Sequence, residues 1–350
     1  MIEAFPNKSD ESTSPQTTPL VSVIIGNYNY GDFVAQAIES VLNQTYRNFE
    51  LIVVDDGSTD NSREIIESYK DRLTPIFQEN SGQGAAFNAG IAHSKGEIVC
   101  FLDSDDYFYN DKLAKVVAAF QKHPNWVQIS HGRTTVNRDG SIVGRDPTFF
   151  SQGDVRKLLL QWGKYAWAVT SGLSYRRSVL EKVVPIPKQP RAADTYLTAT
   201  VPFYGEVGCI KEPLMFYRKH GNNRRAQTNN FSYIIEQRQD TANCINRAAA
   251  SVGLSERFEI HRDADYRSYK ALQQDGTSWR EGLEIIWLTW QESMAIGHPP
   301  KDTLERLLRR GMCALSPREG IVFIRLGLRR YLRFKLTGKK PENFELSVKN

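Results

Sequence analysis

No stretch of the chain stays apolar for the roughly 18 residues that a bilayer-crossing helix needs, so any membrane contact is expected to be peripheral. Cysteine is scarce. Cys100, Cys209, Cys244 and Cys313 lie far apart, with no C-x-x-C pair and no secretory signal ahead of them, which fits free thiols in a reducing cytoplasm rather than a disulfide framework. There is no G-x-x-x-x-G-K phosphate loop, and His93, His123, His131, His261 and His298 show no metal-ligand spacing. Charge of one sign does not dominate: 45 Lys and Arg against 40 Asp and Glu leave a net +5. That balance suits anionic substrates, phosphates or an anionic membrane surface; with no nucleic-acid motif beside it, no nucleic-acid partner is expected.

What is present begins with 350 residues, enough for a large domain and a smaller one. Residues 1–18 are rich in Ser, Thr, Pro and charge and are expected to form a disordered tail. Residues 21–25 read as a buried strand, and the turn of residues 26–31 follows it directly. From Phe33 the apolar residues recur at helical spacing, with Asp32 as the expected cap. Residues 49–54 repeat the pattern as a second strand, closed by the acidic turn of residues 55–62, where Ser58 or Asp60 is expected to cap the next helix. A short strand at residues 75–77 leads to Gly82 and Gly84 among small residues at a helix start, a weak phosphate-loop signal that equally serves close packing.

Residues 98–102 form an unbroken apolar run, as a strand buried on both faces would, and Asp103, Asp105 and Asp106 follow at once. Three carboxylates at the end of a buried strand are costly unless a cation or ligand donors meet them, and ligands bind beyond the carboxyl ends of strands in open α/β sheets. A divalent metal is the cation they suggest; the plain alternative is an acidic cap on the helix near Asp111.

The sequence from Val21 to Asn29, Asn43-Gln44-Thr45-Tyr46, residues 53–62, residues 82–90 and residues 101–106 together resemble the family 2 glycosyltransferases. Thr170-Ser171-Gly172, residues 176–180 and residues 194–221 are similar to that family's acceptor half. The resemblance implies a Rossmann-like glycosyltransferase-A fold, an α/β architecture with a mostly parallel central sheet, plus a helical C-terminal region. It also implies inverting transfer of a sugar from a nucleotide diphospho-sugar, UDP-sugar first, to a hydroxyl of a glycan or lipid-linked acceptor. Asp103 and Asp105 match the family's D-x-D motif. Asp105 would bind Mg2+ or Mn2+, Asp103 would face the ribose or support the metal, and Asp106 would stand behind them or touch the sugar. Gly26, Tyr28 and Asp56 match base-binding positions, with Tyr28 stacking on the base. Asp194 matches the general base, and His220 would touch metal or diphosphate.

Each role has a plainer rival: Tyr28 as a packed turn residue, Asp194 as a helix cap, His220 as a solvated loop residue. Three departures stand out. Gly26 replaces a common Pro, Phe87 stands where many members carry Arg or Lys, and Ala193 replaces the Glu that often precedes the base. Phe87 leaves the pyrophosphate charge to Arg218, Arg224 or the metal. The departures at Phe87 and Ala193 keep open a non-catalytic sugar-nucleotide-binding or scaffold protein, and a glycoside hydrolase using Asp105 and Asp194 is a further rival.

The expected divisions are a nucleotide-sugar-binding half over 19–110, an acceptor half over 111–225, and a helical region with a basic amphipathic end over 226–350. In the acceptor half Trp162, Tyr165 and Trp167 read as core or as faces for sugar rings. In the helical region breaks are expected near Gly253, Gly276 and Pro299, with Trp287, Leu288 and Trp290 packing it onto the catalytic domain. Over residues 321–336, from Ile321 to Leu336, apolar residues alternate with Arg325, Arg329, Arg330, Arg333 and Lys335. Such a segment docks on the protein or lies in an anionic membrane interface.

Overall fold

The computed structural model describes residues 18–145, 149–188, 192–220 and 230–338. The chain divides into two compact units. One comprises Met1–Lys157, Tyr165–His220 and Arg247–Ser255, and the other Leu158–Lys164, Gly221–Asn246 and Glu256–Asn350.

The first unit is built on a mixed sheet. Strands β1 (Val21–Asn27), β2 (Phe49–Asp55), β3 (Thr74–Phe77) and β4 (Ile98–Asp103) lie in the order β3-β2-β1-β4, all parallel. Their apolar runs are continuous because helices cover both faces. One face packs against α1 (Gly31–Leu42), whose Phe33, Val34, Ala37, Ile38, Val41 and Leu42 are buried, and the other against α3 (Gln83–His93). The expected α/β fold with its mostly parallel sheet is present, and antiparallel pairing enters beyond β4. There β8 (Leu173–Arg176) runs antiparallel to both β4 and β6 (Trp126–Asn137), and β6 pairs in parallel with β9 (Glu206–Lys219). The short β5 (Tyr107–Phe108) pairs antiparallel with β9, and β7 (Ile142–Arg145) with β6.

Two expected caps are placed differently. Asp32 lies in the first turn of α1, behind the cap residue Tyr30, and reaches Arg138 at 2.5 Å. Helix α2 (Ser62–Ser68) is preceded by Asn61; Asp60 instead accepts from the amides of Ser62 and Gly31, at 3.0 and 2.9 Å, tying the starts of α1 and α2 together. Helices α4 (Lys112–Lys122), α5 (Arg156–Trp162), α6 (Arg177–Val183) and α7 (Ala193–Thr200) complete the sequence of elements up to β9. Trp162 and Tyr165 are buried, as core residues are.

The second unit is helical, as expected, with the part of α8 (Phe231–Ser251) up to Asn246, α9 (Ala264–Gln273), α10 (Trp279–Ile296), α11 (Pro300–Leu315) and α12 (Pro317–Thr337). Gly253, Gly276 and Gly297 mark the breaks with positive φ, which only glycine adopts without strain. Its interior holds an ion network rather than apolar residues alone. Arg310 is 2.7 Å from Asp265 and 3.0 Å from Glu292, and Lys164 is 2.7 Å from Asp265. Burial acts against the charged form of Asp265, but Arg310, Lys164 and Arg309 outweigh it and hold its carboxyl well below the usual range. Trp287 and Trp290, expected with Leu288 to pack the helical region onto the catalytic domain, are 56% and 42% exposed and stack on each other at 4.8 Å. They sit on the outer face of α10, because the inner face is occupied by Gly282, Ile285, Thr289, Glu292, Ser293 and Ile296. Helix α12 kinks at Gly327; before it Val322 and Phe323 are buried, and after it Arg329, Arg330, Arg333 and Lys335 are exposed with Leu332 and Leu336.

Candidate active site

The sheet register gathers the acidic strand ends. Gly26 on β1 lies opposite Val54 on β2 and Asp103 on β4, and Asn27 lies opposite Asp55. The turns after β1 and β2 then lock together. Asp55 accepts from Asn27 Nδ2 at 2.7 Å and from the Ser58 amide at 3.0 Å, while Asn29, at φ 57°, accepts from the Thr59 amide at 2.8 Å. Tyr28 is held out from this turn, 45% exposed, where a base could stack on its ring.

Asp56, expected at the base, is placed beside that turn. It is buried, and its oxygens accept from Gln78 Nε2 at 2.6 Å and from the amides of Ser81 and Gly82 at 2.9 and 2.7 Å. The carboxylate thus fixes the loop that leads into α3. The first residue of α3 uses that placement, since Gln83 Nε2 donates to Asp103 Oδ1 at 2.8 Å.

The turn after β4 turns its third carboxylate inward. Asp106 is 2% exposed, accepting from Ser171 Oγ at 2.7 Å and from the Arg218 amide at 3.1 Å, so it braces the turn instead of facing a sugar. Burial, with the charges of Asp105 and Asp103 added to it, raises its pKa well above the usual carboxylate range, against the two hydrogen bonds. Ser171 Oγ also accepts from the Asp103 amide at 3.1 Å, which makes it the bridge between the two ends of the acidic turn.

Arg218, expected as a possible pyrophosphate ligand, is buried and committed to the protein. Nε donates to the Asp105 carbonyl at 3.1 Å, Nη1 to the Arg138 carbonyl at 2.8 Å, and Nη2 to Gln36 Oε1. Its guanidinium lies between the rings of Phe33 and Tyr107, at 4.9 and 5.2 Å. Arg224 lies outside the described residues.

Two residues further along the chain, His220 packs on Phe33 at 5.2 Å, and its Nε2 is 2.9 Å from Asp105 Oδ2. The acid and the imidazole expected at the metal are therefore adjacent, although 115 residues separate them in the chain. Among the described residues no group of three or more His, Cys, Asp and Glu is placed to hold a metal ion.

Asp194 stands in the first turn of α7, half-buried, with Oδ1 accepting from the Thr195 amide at 2.7 Å. The helix begins two residues earlier than Thr195, so Asp194 is not its cap. Ala193 is fully buried in the apolar cluster that contains Phe87 and Leu197, where an acid would be desolvated. Phe87 itself is fully buried and stacks on Phe101 at 4.3 Å. The bracing residues Gln36, Gln83 and Ser171 carry no local signal for these roles; their partners are 20 to 182 positions away.

Residues 22–184 match the family described as glycosyl transferase family 2. A glycosyltransferase of Nostoc sp. strain PCC 7120 is 38% identical over 290 residues, which are 77% of this chain and 88% of that one. Among solved structures, S. aureus TarS 1–349 in complex with UDP-GlcNAc superposes with a TM-score of 0.51 at 18% identity, covering 87% of each chain. The mannosyltransferase PcManGT from Pyrobaculum calidifontis, in complex with GDP-Man and Mn2+, gives 0.51 at 17% identity over 95% of this chain and 91% of that one. At such identities the structures share a fold, and the extent of the Nostoc match carries the rest: the chain belongs to glycosyl transferase family 2.

Proposed function

We propose that the chain is an inverting glycosyltransferase that moves a sugar from a nucleotide diphospho-sugar, UDP-sugar first, to a hydroxyl of a glycan or lipid-linked acceptor. The observation that carries this reading is the pairing of Asp105 Oδ2 with His220 Nε2 at the carboxyl end of β4. A carboxylate oxygen suits Mn2+ or Mg2+ when diphosphate oxygens and water supply most other positions, and an imidazole nitrogen beside it would be taken by Mn2+ more readily than by Mg2+. When bound, such an ion would neutralise charge on the leaving diphosphate. The UDP-GlcNAc and GDP-Man complexes of the two structural neighbours support a nucleotide-sugar donor, and the Mn2+ of the second supports the metal.

The remaining roles rest on the family resemblance together with the contacts described above. Tyr28 offers its face to the base, and Gly26, backed by the Phe87 ring, keeps its place at the strand end as part of the base site. Asp103, oriented by Gln83, faces the ribose. Asp56 acts by holding the loop before α3, and Asp106 by bracing the acidic turn from inside. Asp194 is the general base. As the acceptor oxygen forms its bond to the anomeric carbon, its proton passes to the Asp194 carboxylate, and the electron pair of the breaking bond leaves with the diphosphate. Family membership removes support from the glycoside hydrolase reading.

No described helix is long and apolar enough to cross a membrane. The exposed Arg329, Arg330, Arg333 and Lys335, beside Leu332 and Leu336, support peripheral contact with an anionic surface on the cytoplasmic side.

A thermal-shift titration with UDP, GDP, CDP and dTDP, each with and without Mn2+, tests the proposal on wild type and Asp105→Asn. Stabilisation by one diphosphate only with metal, lost in Asp105→Asn, is the expected result. No stabilisation by any of them would replace the enzyme with the non-catalytic scaffold reading.

A further inference from the structure

The first unit has a cleft of about 550 Å³ between α1 and the β5–β9 pair, on residues to which neither metal nor base is assigned. Its size falls within the range of small-molecule sites, roughly 300–1,000 Å³. One wall is a stack of three rings, Phe216 lying 4.4 Å from Tyr107 and 4.2 Å from Tyr109. The rest of the lining, from the end of α1 and the residues just before α4, presents amides and carboxylates, among them Asn43, Asn110, Glu39 and Asp111. Among the described residues the side-chain amides of Asn43 and Asn110 make no hydrogen bond within the protein, and both residues are exposed.

This combination selects a ligand class. An asparagine amide offers a donor and an acceptor together, the pattern that a pair of neighbouring sugar hydroxyls needs, and the edges of the stacked rings, whose faces are turned to one another, give carbon for apolar contact with pyranose C–H groups. No Lys, Arg or His lines the cleft. Glu39 has Arg72 at 3.7 Å and Asp111 has Lys115 at 2.7 Å, so the carboxylates keep their own cations and leave none for a phosphate. A nucleotide, a lipid phosphate or an acidic glycan is therefore disfavoured.

We propose that this cleft is a second saccharide site, which takes a neutral glycan about two sugars long. The site goes beyond the proposed transfer and does not need it, because Asp105, Asp194 and the nucleotide play no part in binding there. It nevertheless lies close behind the acidic turn. Gln36, at one end of the cleft, accepts from Arg218, and Arg218 donates to the Asp105 carbonyl.

The test is a titration of the 15N-labelled full chain with N,N′-diacetylchitobiose, lactose and sialyllactose, followed by amide shifts in the wild type and in Asn43→Ala/Asn110→Ala. The expected result is saturable shifts from a neutral disaccharide at Asn43, at Asn110 and along residues 107–111 of the wild type, with affinity at least fivefold weaker in the double variant and weaker for sialyllactose. The double variant keeps the response to UDP with Mn2+, so a silent nucleotide titration would count against the transferase reading and leave this one standing. Absence of shifts at these residues with both neutral sugars, or an affinity that the double substitution does not change, overturns the proposal. Because the wild-type shifts locate the contact by themselves, an unfolded variant would not spare it.

Discussion

Cε1 of Phe87 lies 3.1 Å from the point where a Cβ on Gly26 would stand, so the ring occupies the space that the glycine leaves. The two departures from the family pattern are one packing arrangement. Gly26→Ala forces the ring to shift in a core where it already stacks on Phe101, and is expected to cost about 1–2 kcal/mol. Phe87→Leu is expected to cost less in the Gly26→Ala background than in wild type, which urea unfolding of the four-member cycle measures. Equal costs in both backgrounds would show that the ring and the glycine do not interact.

His220→Ala is expected to weaken the Mn2+-dependent binding of UDP by about tenfold or more, as loss of a metal-site residue commonly does. Since His220 meets Asp105 directly, adding it to Asp105→Asn should produce little further loss. Isothermal titration at fixed UDP gives the comparison; fully additive losses would place His220 outside the metal site.

Asp194→Asn removes the proposed base and keeps the shape. Transfer is expected to fall by about 10²–10⁴-fold, with the thermal response to UDP and Mn2+ unchanged. Radiolabelled-donor turnover beside the melting curve separates the two quantities. Unaltered turnover would remove Asp194 from the chemistry.

Lys112 is buried without a hydrogen-bond partner, its Nζ 3.4 Å above the Phe108 ring. Burial pushes its pKa down to about 8, slightly opposed by Cys100. Between pH 8 and 10.5 the folded state binds fewer protons than the unfolded state, so stability should rise with pH across that window, by up to ~3 kcal/mol. Lys112→Met is expected to be more stable than wild type at pH 7 and to lose this contribution, as urea midpoints from pH 7 to 10.5 would record.

His131, also buried, has Nε2 unpartnered, and its pKa is pushed down to about 3 by burial first and the Lys112 charge second, against a bond to the Gly132 carbonyl. The unfolded chain takes up this proton below pH 6.5 and the folded chain does not, so stability should fall steadily from pH 6.5 toward 3, by up to ~5 kcal/mol. Replacing His131 with Asn should flatten that part of the curve. An unchanged acid slope would mean that other groups set it.

The sequence by itself determined the features that depend on neighbours in the chain. Continuous apolar runs closed by Asn27, Asp55 and Asp103 mark buried parallel strands whose polar ends face one edge, because a strand covered on both faces must be apolar until it leaves the core. The helical breaks at Gly253 and Gly276 were legible for a similar reason, since a positive φ is a local demand on one residue, and the break read at Pro299 falls beside Gly297, which carries the positive φ there. Tertiary structure alone decided what distant residues do to one another. Asp56 and Asp106 match the donor-site motif in sequence, yet Gln78, Ser81, Gly82, Ser171 and Arg218 satisfy their carboxylates from elsewhere, and hydrogen-bond partners across such separations leave no periodic trace. Arg218 looked available for a phosphate until Phe33, Tyr107, Gln36 and two carbonyls enclosed it. Trp287 and Trp290 read as packing residues, yet the buried face of α10 is made by others, Ile285, Ile296 and the ion-network residue Glu292 among them, because hydrophobicity states what a side chain prefers and packing decides which faces are covered.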